Sequence, residues 1–121
     1  MACRLLVVED EALIAMMWET IADLAGVEIV GEAATVTQAM FQLDNQEFDM
    51  VVLDVHLRGE MSTEVARRLR ELNIPTLVST GDAPSNLPAA YDGMKFATKP
   101  FKVDDILIQL SEMCPKTLMT A

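Results

Sequence analysis

Apolar residues fall along this chain in two rhythms. Short unbroken runs such as Leu5-Leu6-Val7-Val8 and Met50-Val51-Val52-Leu53 alternate with longer stretches whose apolar positions recur every three or four residues. An unbroken run reads as a strand buried on both faces, and the spaced stretches read as helices. The first strand is followed by a helix over Glu11–Ala25, with Leu13, Met17, Ile21 and Leu24 inward and Gly26 as its stop. A second strand covers Val27–Val30. A second helix starts at a Thr35 or Thr37 cap and runs to about Asn45, with Ala39, Met40 and Leu43 inward. Asp49–Asp54 is the third strand and Gly59 marks the loop after it. Met61, Val65, Leu69 and Leu72 then define a third helix, whose outer face carries Glu64, Arg67, Arg68, Arg70 and Glu71. Asn73 and Pro75 break the chain before a fourth strand, Thr76–Ser79. From Gly81 to Gly93, the residues Pro84, Ser85, Asn86 and Pro88 oppose a long helix, so a fourth helix is predicted to be short or distorted. Lys95–Thr98 is the fifth strand. Val103, Ile106, Leu107, Leu110 and Met113 stripe a last helix that Pro115 closes.

Strand and helix thus alternate five times, which predicts an α/β fold with a parallel five-stranded sheet covered on both faces. The 121 residues, 51% of them hydrophobic, fit one domain, with a core over about residues 4–113 and a short C-terminal tail. The longest apolar stretch, Ala12–Trp18, is too short for a membrane span, and no secretory leader is visible, so a cytoplasmic protein without membrane contact is expected. The formal charge of -10 opposes direct nucleic-acid binding, which needs a basic face. It suits a divalent cation or a basic patch on a partner, although an acidic surface also simply keeps proteins soluble. Cys3 and Cys114 lie near opposite ends without CxxC or metal spacing, and reduced, buried thiols are expected.

The candidate chemistry lies just past the strands. The first strand runs into Glu9 and Asp10, the third into Asp54, the fourth into Thr80 and the fifth into Lys99. Parallel strands deliver these groups to one edge, and with strand order 2-1-3-4-5 the first and third strands are neighbours at the switch point. Each group has an ordinary reading alone: Asp10 and Glu11 as a helix start, Asp54 and Thr80-Gly81 as turns, Lys99-Pro100 as a surface lysine before a helix. Together, three facing carboxylates repel unless a hard divalent cation joins them, and Mg²⁺ (or Mn²⁺) fits. Asp54 is the candidate nucleophile toward a phosphoryl group, with Lys99 and Thr80 stabilising the transferred oxygens.

On Leu6-Val7-Val8-Glu9-Asp10-Glu11, Val51-Val52-Leu53-Asp54, Ser79-Thr80-Gly81 and Thr98-Lys99-Pro100-Phe101, the chain resembles the receiver domain of two-component response regulators from Arg4 to about Met113. The resemblance implies a flavodoxin-like (βα)₅ three-layer sandwich. It implies Asp54 as phosphoacceptor, with a histidine kinase or phosphotransfer protein as phosphohistidine donor. Glu9 and Asp10 match the acidic pair, and the backbone carbonyl of His56 would be a further metal ligand. Thr80 and Phe96 match the switch pair, and Lys99-Pro100 would carry a cis peptide. The side chains of His56 and Asp82 fall where the family tunes phosphate lifetime. The acidic pair departs from two aspartates. Thr80-Gly81 and the poor fourth helix are similar to an alphaproteobacterial group with a Phe-Ala-Thr-Gly-x-Tyr-like (FAT GUY) motif, from which Val78, Ser79 and Ala83 depart.

The expected function is therefore a single-domain response regulator: phosphorylation of Asp54 switches a surface that binds a downstream protein. It would be no enzyme beyond its own phosphorylation and dephosphorylation. No output domain is expected after Met113, since Cys114–Ala121 is too short to be one. Alternatives are a phosphate shuttle or sink, a receiver excised from a hybrid histidine kinase or longer regulator, and a phosphate-independent pseudo-receiver. A flavin-binding relative of the same fold is disfavoured because Glu9-Asp10-Glu11 would repel the flavin phosphate. A haloacid-dehalogenase-type phosphatase is disfavoured because its second acid falls where this chain has His56.

Overall fold

Successive side chains of a strand point to opposite faces, and here both faces are apolar. The structure, a computed structural model, describes residues 2–114. It sends Leu6, Val8, Val51, Leu53 and Val78 to one side of the sheet and Leu5, Val7, Met50, Val52 and Leu77 to the other. All are buried. Neither face meets water, which is why the runs carry no polar residue.

In chain order the elements are β1 (Arg4–Val8), α1 (Ala12–Ala25), β2 (Glu28–Ala33), α2 (Val36–Asn45), β3 (Met50–Asp54), the short β4 (His56–Leu57) and β5 (Glu60–Met61), α3 (Thr63–Glu71), β6 (Thr76–Thr80), two 3-10 turns at Pro84–Asn86 and Ala89–Tyr91, β7 (Lys95–Thr98) and α4 (Val103–Met113). The sheet order is β2-β1-β3-β6-β7, all parallel. This is the expected 2-1-3-4-5 order of a flavodoxin-like sheet. One side is covered by α2 and α3 through Val36, Ala39, Leu43, Val65 and Leu69. The other is covered by α1 and α4 through Trp18, Ile21, Ile106, Leu110 and Met113. Local chemistry sets the helix ends. Gly26 takes φ 70° and returns its N–H to the carbonyls of Ala22 and Asp23. Thr35, not Thr37, caps α2, its Oγ1 accepting from the Gln38 N–H at 3.1 Å.

Four expectations are corrected. On α1, Leu13 and Leu24 are 81% and 65% exposed, and the helix buries Trp18, Ile21 and Ala22 instead. This helix is apolar on several sides, so spacing does not select a face. The largest side chain does, and Trp18 packs inward against Phe101 with ring centroids 5.5 Å apart. Met61 lies in β5 rather than in the third helix, and both it and Leu72 are exposed. Arg58 and Gly59, at φ 48° and 83°, make the two-residue turn of a β4–β5 hairpin, which delays the helix to Thr63. Val103 is exposed where the last helix begins. The closing Pro115 lies outside the described residues.

The fourth correction is covalent. Cys3 and Cys114 are buried and joined as a disulfide, with Cα atoms 6.1 Å apart, rather than left as thiols. The start of β1 and the end of α4 lie side by side at the amino edge of the sheet, so residues 111 positions apart meet. The stretch 81–93 behaves as predicted: two single 3-10 turns stand in place of a fourth α-helix, each beginning at or next to a proline.

Candidate functional site

Because the strands are parallel, their carboxyl ends share one edge. Register fixes the details: Val8 pairs with Leu53, Asp54 with Ser79, and Thr80 with Thr98. The residue after β1 therefore stands beside the last residue of β3. Glu9, Asp10 and Asp54 each present a carboxylate oxygen within 4.8 Å of the others. Glu9 and Asp54 are buried and Asp10 is half-buried. Lys99, one residue past β7, brings its Nζ to 3.9 Å from Asp54 Oδ1. Thr80 is buried at the end of β6, with its Oγ1 accepting the Asp82 N–H at 2.9 Å. Phe96 is half-buried against the α2–α3 side of the core, opposite Val78 in register. Lys99-Pro100 is cis.

The site is short of positive charge. Burial pushes the Glu9 carboxyl up to about 8, helped by the facing Asp54 carboxyl and opposed by the Glu11 N–H and Lys99. Asp54 is raised too, first by burial and then by Asp10, while Glu9, Lys99 and the Val55 N–H pull it down. Two buried carboxyls this close disfavour each other's charge, so both are held toward the neutral form. One Glu9 oxygen, Oε2, accepts the Glu11 N–H at 3.2 Å, whereas Oε1 is buried with no hydrogen-bond partner. An orphaned carboxylate oxygen facing two more acids is the donor set of a hard cation. The residues present thus fit Mg²⁺.

The structure brings together Glu9, Asp10, Asp54 and Lys99, and sets Thr80 and Phe96 in the neighbouring strands. The His56 carbonyl lies two residues past Asp54, in β4. The exposed side chains of His56 and Asp82 face each other, Nε2 to Oδ2 at 3.9 Å. Three contributors escaped the sequence reading. The Arg58 N–H donates to Asp10 Oδ2 at 2.8 Å, aiming that carboxylate from the hairpin turn. Ser62 and Tyr91 are buried, and the Ser62 hydroxyl donates to the Asp54 carbonyl at 2.6 Å. Gly59 marked a turn there, but an arginine at positive φ beside it is not a usual hairpin signal; Tyr91 carried none.

A family model described as response regulator receiver domain matches residues 5–111. The chain belongs to that family. This receiver is 32% identical over 108 residues to the transcriptional regulatory protein PdtaR of Mycobacterium tuberculosis, a match covering 86% of this chain and 53% of that protein. It spans about half the length of that relative. Among solved structures, it is similar to SdrG from Sphingomonas melonis at 34% identity and a TM-score of 0.79, covering 93% of this chain and 96% of that one. It is similar to the response regulator PhyR from Brucella abortus at 30% identity and a TM-score of 0.80, covering 94% and 48%. These neighbours fit the subgroup to which Thr80-Gly81 points. The receiver is a two-component signalling domain, and among its described residues no helix is long and apolar enough to cross a membrane.

Proposed function

We propose that this receiver is a phospho-acceptor switch in which Asp54 takes a phosphoryl group from the phosphohistidine of a kinase or phosphotransfer protein. The observation that carries the reading is the convergence on Asp54: Glu9 and Asp10 within 4.8 Å on one side and Lys99 Nζ at 3.9 Å. An Asp54 carboxylate oxygen forms the new P–O bond, the P–N bond breaks, and the donor imidazole leaves with the electron pair. Glu9, Asp10, Asp54 and the His56 carbonyl would hold Mg²⁺ (or Mn²⁺), which supplies neutralising charge to the carboxylates and phosphoryl oxygens when bound. Lys99 leaves its ion pair with Asp54 to meet a phosphoryl oxygen. The Thr80 hydroxyl, whose oxygen accepts the Asp82 N–H, turns its own proton toward a phosphoryl oxygen, and Phe96 follows into the space released. His56 and Asp82 stand at the mouth as the residues that set phosphate lifetime.

The readout of the switch is a protein. A groove of about 500 Å³, lined by Phe96, Phe101, Ile108 and Gln109 among others, abuts the switch and supports a downstream protein partner. The acidic surface favours neither nucleic acid nor membrane, and the site acts within the cytoplasm. The only reaction is its own phosphorylation and dephosphorylation, with no separate substrate turned over.

The test is intact mass after incubation with acetyl phosphate and Mg²⁺, beside Asp54→Ala. One phosphoryl group gained, lost with EDTA and absent from the variant, is expected. If no gain is seen, beryllofluoride with Mg²⁺ replaces the donor. Absence of binding there as well sinks the switch and leaves a pseudo-receiver.

A further inference from the structure

The polar groups buried behind the acceptor form a chain of their own. Ser62 sits at the N-cap of α3, a place where a serine hydroxyl ordinarily accepts from the helix's first N–H groups. Here it makes no such bond. It donates instead to the Asp54 carbonyl at 2.6 Å and lies 2.9 Å from the Tyr91 hydroxyl. With its one proton committed to the carbonyl, the Ser62 oxygen is the acceptor and Tyr91 the donor. Both residues are fully buried. Tyr91 ends the second 3-10 turn, in the stretch that replaces the fourth helix. That turn is held to α3 a second time by Arg70, whose Nη1 donates to the Ala89 carbonyl at 2.7 Å.

We infer that Tyr91 is a positioning residue that couples the acceptor loop to the 84–94 segment through Ser62, by a route separate from Thr80 and Phe96. The inference rests on the acceptor reading of Asp54. A buried hydroxyl deprived of its partner is costly, so the three groups hold together or separate together. The backbone of Asp54 cannot shift when its side chain is loaded without carrying Ser62, and Ser62 cannot shift without Tyr91. The ring of Tyr91 packs with the α2–α3 side of the core. A displacement of its hydroxyl therefore moves the turn that bears it. By linkage, the coupling is reciprocal: whatever holds the turn also biases ligand binding at Asp54.

The test is backbone amide NMR of the whole chain with and without beryllofluoride and Mg²⁺, for the unmodified protein, Tyr91→Phe and Ser62→Ala. Tyr91→Phe keeps the ring and loses only the hydroxyl. The shifts induced at Asp10, Asp54 and Thr80 are expected to persist in the variants, while those over residues 89–94 fall to less than about half. The double variant should match either single one, as members of one chain do. A Tyr91→Phe protein with full induced shifts over 89–94 overturns the relay, even if its melting temperature has dropped, because a purely structural role lowers stability without uncoupling the response. An unmodified chain that shows no induced shifts anywhere overturns the acceptor reading and the relay together.

Discussion

The two ends of the sheet are built on opposite electrostatic plans. At the amino edge, Arg4 meets Asp49 through Nε and Nη2 at 3.2 and 3.1 Å, and reaches Glu47 with Nη1 at 3.1 Å. The Arg4 N–H also donates to Asp49, at 2.8 Å. The Arg4 guanidinium holds the Asp49 carboxyl below the usual carboxylate range. Next to it, the disulfide ties β1 to α4. At the carboxyl edge, Glu9 and Asp54 are held above that range with one lysine among three acids. One edge is satisfied in the folded chain alone; the other is satisfied only by something added. Stability and switching are thereby kept about one strand length apart, and the strained end is the functional one.

The contrast can be broken from the satisfied side first. Reducing the disulfide, which closes a loop 111 positions long, should lower the unfolding free energy by about 5 kcal/mol in the chain-entropy account, read as a lower urea midpoint of the reduced protein. Response to beryllofluoride should survive, since the bond lies at the far edge. On the other side, Asp54→Asn removes a buried acid that faces two others and should raise metal-free stability, read as a higher melting temperature in EDTA. The same variant should lose the rise in melting temperature that Mg²⁺ gives the unmodified chain. Loss of stability in Asp54→Asn would show the carboxyl edge to be already satisfied. Asp49→Ala should do the reverse: a lower melting temperature with an unchanged Mg²⁺ increment.

The same contrast has a signature in pH. A carboxyl raised from 4.5 to about 8 keeps a proton in the folded protein that the unfolded chain has released. The stability contributed by Glu9 is therefore full below about pH 4.5, declines as pH rises toward about 8 and is level above it; Asp54 acts in the same direction. Asp49 has the opposite sign, its contribution present above its ordinary value of 3.8 and lost as pH falls. Melting in EDTA should thus show a temperature that drops between about pH 5 and pH 8, and saturating Mg²⁺ should flatten the slope by taking the proton's place. A flat profile in EDTA would mean that Glu9 ionises freely.

What was legible in the chain follows from this geometry. Sheet order and the rim residues could be read because a doubly buried strand announces itself by an unbroken apolar run, and parallel strands force the following residues onto one edge. Glu9, Asp10, Asp54, Thr80 and Lys99 needed no side-chain packing to be placed. The face of α1 did need it: Leu13 and Trp18 are both apolar, and packing against partners such as Phe101 selects between them. The disulfide was hidden because sequence separation says nothing about which chain ends the topology brings together. Ser62 and Tyr91 were hidden for a further reason. Their contact runs between a helix cap and a turn that no periodicity predicts, and a serine at an N-cap has an ordinary explanation that here is not the one used.

One feature of the α1 side gives the molecule an optical handle. The chain has a single tryptophan. Its indole is sealed from water, its N–H has no acceptor among the described residues, and it leans on Phe101, two positions after Lys99. Emission from this one fluorophore therefore reports on the loop that carries Lys99, with no dye and no background from a second indole. Beryllofluoride binding at Asp54 is expected to change the tryptophan emission of the native chain, read by fluorescence titration.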